Sequence, residues 1–350
     1  MKRLPPKNRS VNKFKNTLLV DGNSLYKRGF IGARNEYNSK GEHIGGVYQF
    51  ITVLRKLLNE NLYHNCYTFW DGEFSGKLRW EIYKDYKSGR GKDYINGTKP
   101  EDLEEVYQRK VVFNYLEELY VRQLIDDTVE SDDFIAYYCK LRKETEKITI
   151  ITNDRDLCQL IDDNVRVYLL DLKTYVDKNT FKYFFDYHYK NVVLVKMLCG
   201  DNSDSIKGIK RVGTDTLLQH FPQLKEREVS LGEIIEKSKE IQNNRLENKM
   251  KPLRVLDNII NKKTDGIQGE KIYEINKILI DLSNPLLTEE SKNNFNELIT
   301  SKLSQEDRSI KNAYKMLKED GIDKVIGGTR YKEYLLPFKK LMEREKNNNM

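Results

Sequence analysis

The sequence predicts an α/β fold, a mainly parallel central sheet flanked by helices, with a helical C-terminal half. Short apolar runs alternate with helix-length amphipathic segments up to about residue 190, the pattern of strands joined by crossover helices. The runs are almost continuously apolar, as strands covered on both faces are. Three of them end on a carboxylate, and open parallel sheets gather ligands at the carboxyl ends of their strands.

Residues 1–16 hold six basic side chains, two prolines and no acid, and read as a basic flexible arm. Residues 17–20 (TLLV) form a strand that runs into Asp21-Gly22-Asn23. Residues 46–59 set Val47, Phe50, Val53, Leu54, Leu57 and Leu58 on one helical face. A second strand, 66–70 (CYTFW), meets Asp71-Gly72. Residues 77–99 carry seven basic groups against three acidic ones, with Trp80, Tyr83, Tyr86 and Tyr94 interleaved. Such a strip suits phosphates and unpaired bases, or equally a solvated helix with its aromatics turned inward. Helical patterns follow over 104–121 and 133–143, a strand over 148–152 (ITIIT) meets Asn153-Asp154, and 165–168 (VRVY) is a fourth strand. Further on, helical runs at 191–199 and 214–221 flank Lys210-Arg211-Val212-Gly213. Residues 222–270 are polar with few apolar anchors and read as an elaborated or flexible insertion, while 272–282 is apolar enough to return to the core. The remainder, 301–350, reads as an amphipathic helical extension.

Composition narrows the function. The 350 residues suggest two domains, and 61 Lys+Arg against 54 Asp+Glu leave +7, which permits a nucleic-acid partner without requiring one. No apolar run is long enough to span a bilayer, and the basic N-terminus has no apolar secretion segment. Cys66, Cys139, Cys158 and Cys199 lack metal-ligand spacing and read as reduced thiols of a cytoplasmic protein.

The acids are clustered. Besides the strand ends, Val129-Glu130-Ser131-Asp132-Asp133 opens a helix and Gly200-Asp201-Asn202-Ser203-Asp204 ends one. One such cluster is ordinarily a helix cap or a dipole partner. Several brought to one sheet edge repel each other and raise one another's pKa values unless cations intervene. Oxygen donors suit Mg²⁺ or Mn²⁺, and two such ions about 4 Å apart promote phosphodiester hydrolysis.

The blocks LLVDGN, FWDG, VESDD, TNDRDL and GDNSDSIKGIKRVG resemble, in order and spacing, the 5′ nuclease (flap endonuclease) family. The likeness covers about residues 17–222 and is closest to the bacteriophage 5′→3′ exonucleases and the 5′ nuclease domain of bacterial DNA polymerase I. It implies a PIN-like nuclease core over 17–190, a helical arch at about 76–125, and a duplex-binding region over 191–300 with a helix-hairpin-helix at 191–221. Metal ligands are implied at Asp21, Asp71, Glu130, Asp132, Asp133, Asp154, Asp156, Asp201 and Asp204. The first five would surround a tighter metal and the last four a second, both Mg²⁺ with Mn²⁺ able to substitute. YKDYKSGRGKDY matches the family's basic block and implies catalytic roles for Lys87 and Arg90, with Tyr86 stacking on a base. Gly208, Lys210, Arg211 and Gly213 would form the hairpin that binds duplex phosphates, with a K⁺ ion held by its carbonyls, and Lys196 would add a DNA contact. The family's Asp-Asn-Ile-Pro-Gly is here Asp204-Ser205-Ile206-Lys207-Gly208.

The resemblance implies a monomeric, two-metal 5′→3′ exonuclease and 5′-flap endonuclease acting on branched or nicked DNA with a 5′ end, and on RNA/DNA hybrid. Residues 301–350 would cap the core or dock a replication partner. The rivals are a PIN-like metal-dependent ribonuclease, which the hairpin at 208–213 argues against, and a non-catalytic DNA-junction-binding protein, which has no use for nine mutually repelling acids.

Overall fold

The structure, a computed structural model, describes residues 15–88, 100–303, 308–327 and 331–348. Its centre is a six-stranded sheet made of β1 (Lys15–Asp21), β2 (Asn65–Asp71), β3 (Arg122–Asp126), β4 (Glu146–Thr152), β5 (Val165–Leu169) and β6 (Thr174–Val176). The spatial order is β3-β2-β1-β4-β5-β6, all neighbours parallel except the edge pair β5-β6. Val20 lies opposite Thr68 of β2 and Ile151 of β4, so β1 and β4 finish level and β2 runs two residues further to Asp71. That register brings together acids far apart in sequence.

Alternation along β1 feeds two cores, because successive strand side chains point to opposite faces. Leu18 and Val20 pack with α2 (Gly45–Glu60) and α4 (Pro100–Glu118), while Leu19 packs with Phe134 and Ile135 of α5 (Ser131–Leu141). Two further helices, α1 (Gly22–Gly32) and α3 (Lys77–Ile82), follow the first two strands. The C-terminal half adds α6 (Val192–Cys199), a two-stranded hairpin of β7 (Gly200–Asp201) and β8 (Ile206–Lys207), α7 (Thr214–His220), α8 (Leu231–Glu247), α9 (Arg254–Ile260) and α10 (Ile272–Ile280). These share a third core that includes Leu198, Ile209, Leu217, Phe221, Ile234 and Leu256. Then α11 (Glu289–Thr300) returns to the sheet, where Phe295 stacks on Phe134 at 6.1 Å and on Phe69 at 6.0 Å. Finally α12 (Ile310–Glu319), α13 (Ile322–Val325), α14 (Tyr331–Tyr334) and α15 (Leu336–Asn348) cover the α2/α4 face with Ala313, Leu317, Phe338 and Leu341 buried. The extension thus packs against this face of the sheet.

Several expectations change. The arm ends earlier, since Lys15 already belongs to β1, and residues 1–14 lie outside the described residues. β3 falls inside the stretch expected to be arch; Arg122, Gln123 and Asp126 disguise it as polar, yet Arg122 is buried and donates to the carbonyls of Leu298 and Ser301. The insertion at 222–270 is ordered. Its spaced apolar residues Leu224, Val229, Ile234, Leu256 and Ile259 are buried in the third core, and Asn191, fully buried, donates to the carbonyls of Leu224 and Arg227 and accepts from the Val229 N–H. Within the expected duplex-binding region, α11 belongs instead to the sheet. Among the described residues no helix is long and apolar enough to cross a membrane.

Candidate active site

The acids at the strand ends accept backbone N–H groups at the starts of other elements. Asp21 caps α1 by accepting the Ser24 N–H at 3.0 Å, and its other oxygen accepts the Thr152 hydroxyl at 2.7 Å. Asp71 accepts the Ser131 N–H at 2.7 Å, at the start of α5. Asp154 caps a 3₁₀ turn (Arg155–Leu160) by accepting the Asp156 N–H at 2.8 Å. Capping therefore fixes these side chains at the level of the sheet edge. Glu130 immediately precedes α5, and Asp132 and Asp133 fall in its first turn. Asp132, Asp154, Asp156 and Asp204 line one cleft with Glu130 and Lys87, walled by Leu279, Ile280 and Leu282.

The charges that act most on Asp132 in this cleft are those of other acids. Asp132 makes no hydrogen bond or ion pair among the described residues. Burial, then the charges of Asp154, Asp21, Asp71 and Glu130, push its carboxyl well above the usual range. Burial pushes Asp21 up to about 7, with Asp71 and Asp154 adding to it and the bonds from Thr152 and Ser24 opposing. Asp156 is likewise raised to about 7 by burial and Asp154, despite Lys196. Carboxylates in this state are short of cations.

Elsewhere the charge is balanced by the chain itself. Burial would raise Glu130, but Arg79 at 2.6 Å and an ion pair with Lys87 hold it below the ordinary glutamate range. Lys196 joins Asp156 and, at 2.6 Å, Asp201. Asp201 also accepts the Ser203 N–H and hydroxyl; against its burial, these partners hold it at about 2.

The predicted residues thus divide. The structure brings together Asp21, Asp71, Glu130, Asp132, Asp154, Asp156, Asp201 and Asp204. Asp133 is 1% exposed and turned away, gripped by both Arg79 guanidinium nitrogens at 2.5 and 3.1 Å and by the Leu286 N–H at 2.9 Å. Lys87 lies in the cleft with φ 54°, its N–H donating to the Asp204 carbonyl at 2.8 Å. Tyr86 corrects the stacking expectation: it is 3% exposed, and its hydroxyl donates to Glu130 at 2.9 Å and Asp204 at 3.2 Å, so its ring has no face for a base. Lys196 is also reassigned, because its ammonium is spent on two site carboxylates. Arg90 lies outside the described residues.

At the hairpin, Gly208 is required by packing, since a Cβ there would meet the Cys199 carbonyl carbon at 2.2 Å; Gly213 faces open space. Lys210 pairs with Asp265 at 2.7 Å, and Arg211 takes a left-handed φ of 67°. The residue that sequence reasoning missed is Arg79. It looked like one more cation of the basic strip, and only its 5% exposure sets it apart.

Acids gathered at parallel strand ends, with a lysine beside them and a helix-flanked hairpin alongside, make the site of a hydrolase of phosphodiesters. Comparison with known proteins agrees. The family model described as "5′-3′ exonuclease, N-terminal resolvase-like domain" matches residues 16–186. A 5′-3′ exonuclease of Mycoplasma pneumoniae is 31% identical over 208 residues, 57% of this chain and 69% of that protein. DNA polymerase I of Bacillus subtilis is 28% identical over 247 residues, 69% of this chain but only 26% of the polymerase. In fold, the chain is similar to zinc-bound T5 5′-exonuclease, with TM-score 0.60 and 17% identity over 87% of this chain and 98% of that one. The chain belongs to the 5′-3′ exonuclease family and is a nuclease.

Proposed function

We propose that this nuclease is divalent-metal-dependent and structure-specific, combining 5′→3′ exonuclease with 5′-flap endonuclease activity on branched or nicked DNA and on RNA primers paired to DNA. The observation that carries the metal dependence is Asp132, a carboxylate without a side-chain partner among the described residues, whose pKa is raised by burial and then by the acids around it. The cleft is lined by carboxylates and by no Cys or His among the described residues, a donor set that fits Mg²⁺ or Mn²⁺. Asp21, Asp71, Glu130 and Asp132 would hold one ion, and Asp154, Asp156, Asp201 and Asp204 a second. When bound, such ions stabilise developing charge on the phosphodiester and lower the pKa of water.

The chain's own residues do the rest. Lys87, with Arg90, would contact the scissile phosphate and oppose its growing charge. Tyr86 fixes Glu130 relative to Asp204 and so ties the start of α5 to the loop after α6. Lys196 neutralises Asp156 and Asp201, and would have to yield those oxygens to any cation bound there. Asp133 acts from behind, holding Arg79 against Glu130.

A K⁺ ion at the hairpin would share carbonyls that already accept protein donors, through their remaining lone pairs: Lys207 accepts from Gln268 and Asn276, Gly208 from Thr264, Ile209 from the Val212 N–H, and Lys210 from Asn258.

The test is end-labelled cleavage mapping on matched flap, nicked and single-stranded substrates with Mg²⁺, Mn²⁺ or chelator. Cleavage near the flap junction that needs the divalent ion is expected, and Asp132→Asn should abolish it with flap affinity changed less than tenfold. A flap bound tightly yet uncut with either ion refutes the enzyme reading.

A further inference from the structure

The segment between α9 and α10 lies against the hairpin like a second strand. Ile209 and Thr264 form an antiparallel bridge, and the Lys210 N–H donates to the Lys263 carbonyl at 2.8 Å. Side chains staple the pair together: Thr264 Oγ1 to the Gly208 carbonyl at 2.8 Å, Asn258 to the Lys210 carbonyl at 2.8 Å, and Gln268 to the Lys207 carbonyl at 3.0 Å. Asn258 and Gln268 are themselves buried, so the join is part of the core and not a surface accident. The Lys263 N–H returns to the Asn258 carbonyl at 2.9 Å, which fixes the turn that carries Lys262 and Lys263.

The join gathers cations. Lys207, Arg211, Lys262 and Lys263 stand on this joined surface, and none of them has an ion-pair partner among the described residues; only Lys210 is paired, to Asp265. Lys207, Arg211 and Lys263 are exposed, and Lys262 lies half-buried with its ammonium 6.0 Å from the Tyr273 ring centre. Unpaired cations held by a rigid backbone suit an extended polyanion, whose phosphates they meet without reading sequence. The surface begins at Lys207, three residues after Asp204, which lines the acidic cleft.

We propose that Lys262 and Lys263 form, with Lys207 and Arg211, a second phosphate-binding strand for duplex DNA, beside the hairpin and built by the insertion at 222–270. The inference rests on the nuclease reading and extends it. In this arrangement Asp265 holds Lys210 until a phosphate competes for it, so the insertion both widens the duplex surface and supplies its internal counter-ion.

The test measures binding of nicked duplex and of single-stranded DNA, as a function of salt, by the wild-type chain, the Lys262→Ala/Lys263→Ala double variant and a Lys239→Ala control on the exposed face of α8. Each lost phosphate contact lowers the slope of log affinity against log salt by about 0.9, so the double variant should lose about 1.8 on nicked duplex. It should keep its single-strand affinity and its single-turnover rate at saturating protein. The join itself uses backbone atoms of Lys263, which alanine keeps, and an unchanged melting temperature checks this. Asp265→Asn should tighten duplex binding by freeing Lys210. A double variant with the wild-type slope, or one that weakens single-strand binding equally, overturns the inference alone. A wild-type chain that neither binds nor cuts nicked duplex overturns the nuclease reading, and this inference with it.

Discussion

Arg79→Met is the most informative single change in the molecule. Arg79 donates to both oxygens of Asp133, contacts Glu130 at 2.6 Å, and donates through Nε to the Leu279 carbonyl at 3.1 Å. It thereby joins α3, α5 and α10, and it neutralises two acids that are 1% and 5% exposed. Removing one member of a buried ion network leaves its partners uncompensated, at about 3–5 kcal/mol. Glu130 keeps Lys87, so most of the loss falls on Asp133.

The sign with pH follows from the two acids. Glu130 is held below its ordinary value, so it stabilises the fold at neutral pH and ceases to as pH falls through that depressed pKa. Asp133 is raised by burial even with Arg79 present; without Arg79 it must be folded charged and unpaired, or take a proton. The deficit of the variant should therefore be largest near pH 7 and shrink as pH drops through the carboxylate range. Urea unfolding at pH 7 and pH 5 measures it. Adding Asp133→Asn should recover part of the loss, because the orphaned charge is gone. A deficit under about 1 kcal/mol at pH 7, or one that grows on acidification, would refute the reasoning.

Two further outcomes test other parts of the structure. Gly208→Ala should lower the thermal midpoint by several degrees, about 1–3 kcal/mol, since its Cβ would press on Cys199 and Gly200, whereas Gly213→Ala should be nearly neutral; equal effects would contradict the packing. Lys87→Ala should slow single-turnover cleavage by at least a hundredfold at saturating protein, about 3 kcal/mol of transition-state stabilisation, and an unchanged rate removes Lys87 from the chemistry.

Much of the site was legible in the sequence. Asp21, Asp71 and Asp154 end apolar runs; Asp21 and Asp154 are then placed by local caps, whereas Asp71 is held by Ser131 at the start of α5. Period and caps are short-range properties, so β1, β2, β4, β5 and the helices flanking the hairpin could be read from spacing. Other features are set by distant partners. β3 looked polar because Arg122 is satisfied by carbonyls of α11, far along the chain. The insertion looked loose because its buried anchors, Leu224, Val229, Ile234, Leu256 and Ile259, are spread among polar residues and pack on partners elsewhere in the chain. Tyr86 and Lys196 matched a pattern of exposed DNA contacts, and tertiary packing turned both onto site carboxylates. The opening pattern of strands and terminal acids determined the fold class and which carboxylates gather. Only the tertiary structure decided which of them keep a free charge, because that depends on where Arg79, Lys87 and Lys196 come to rest, and no spacing along a chain records such a meeting.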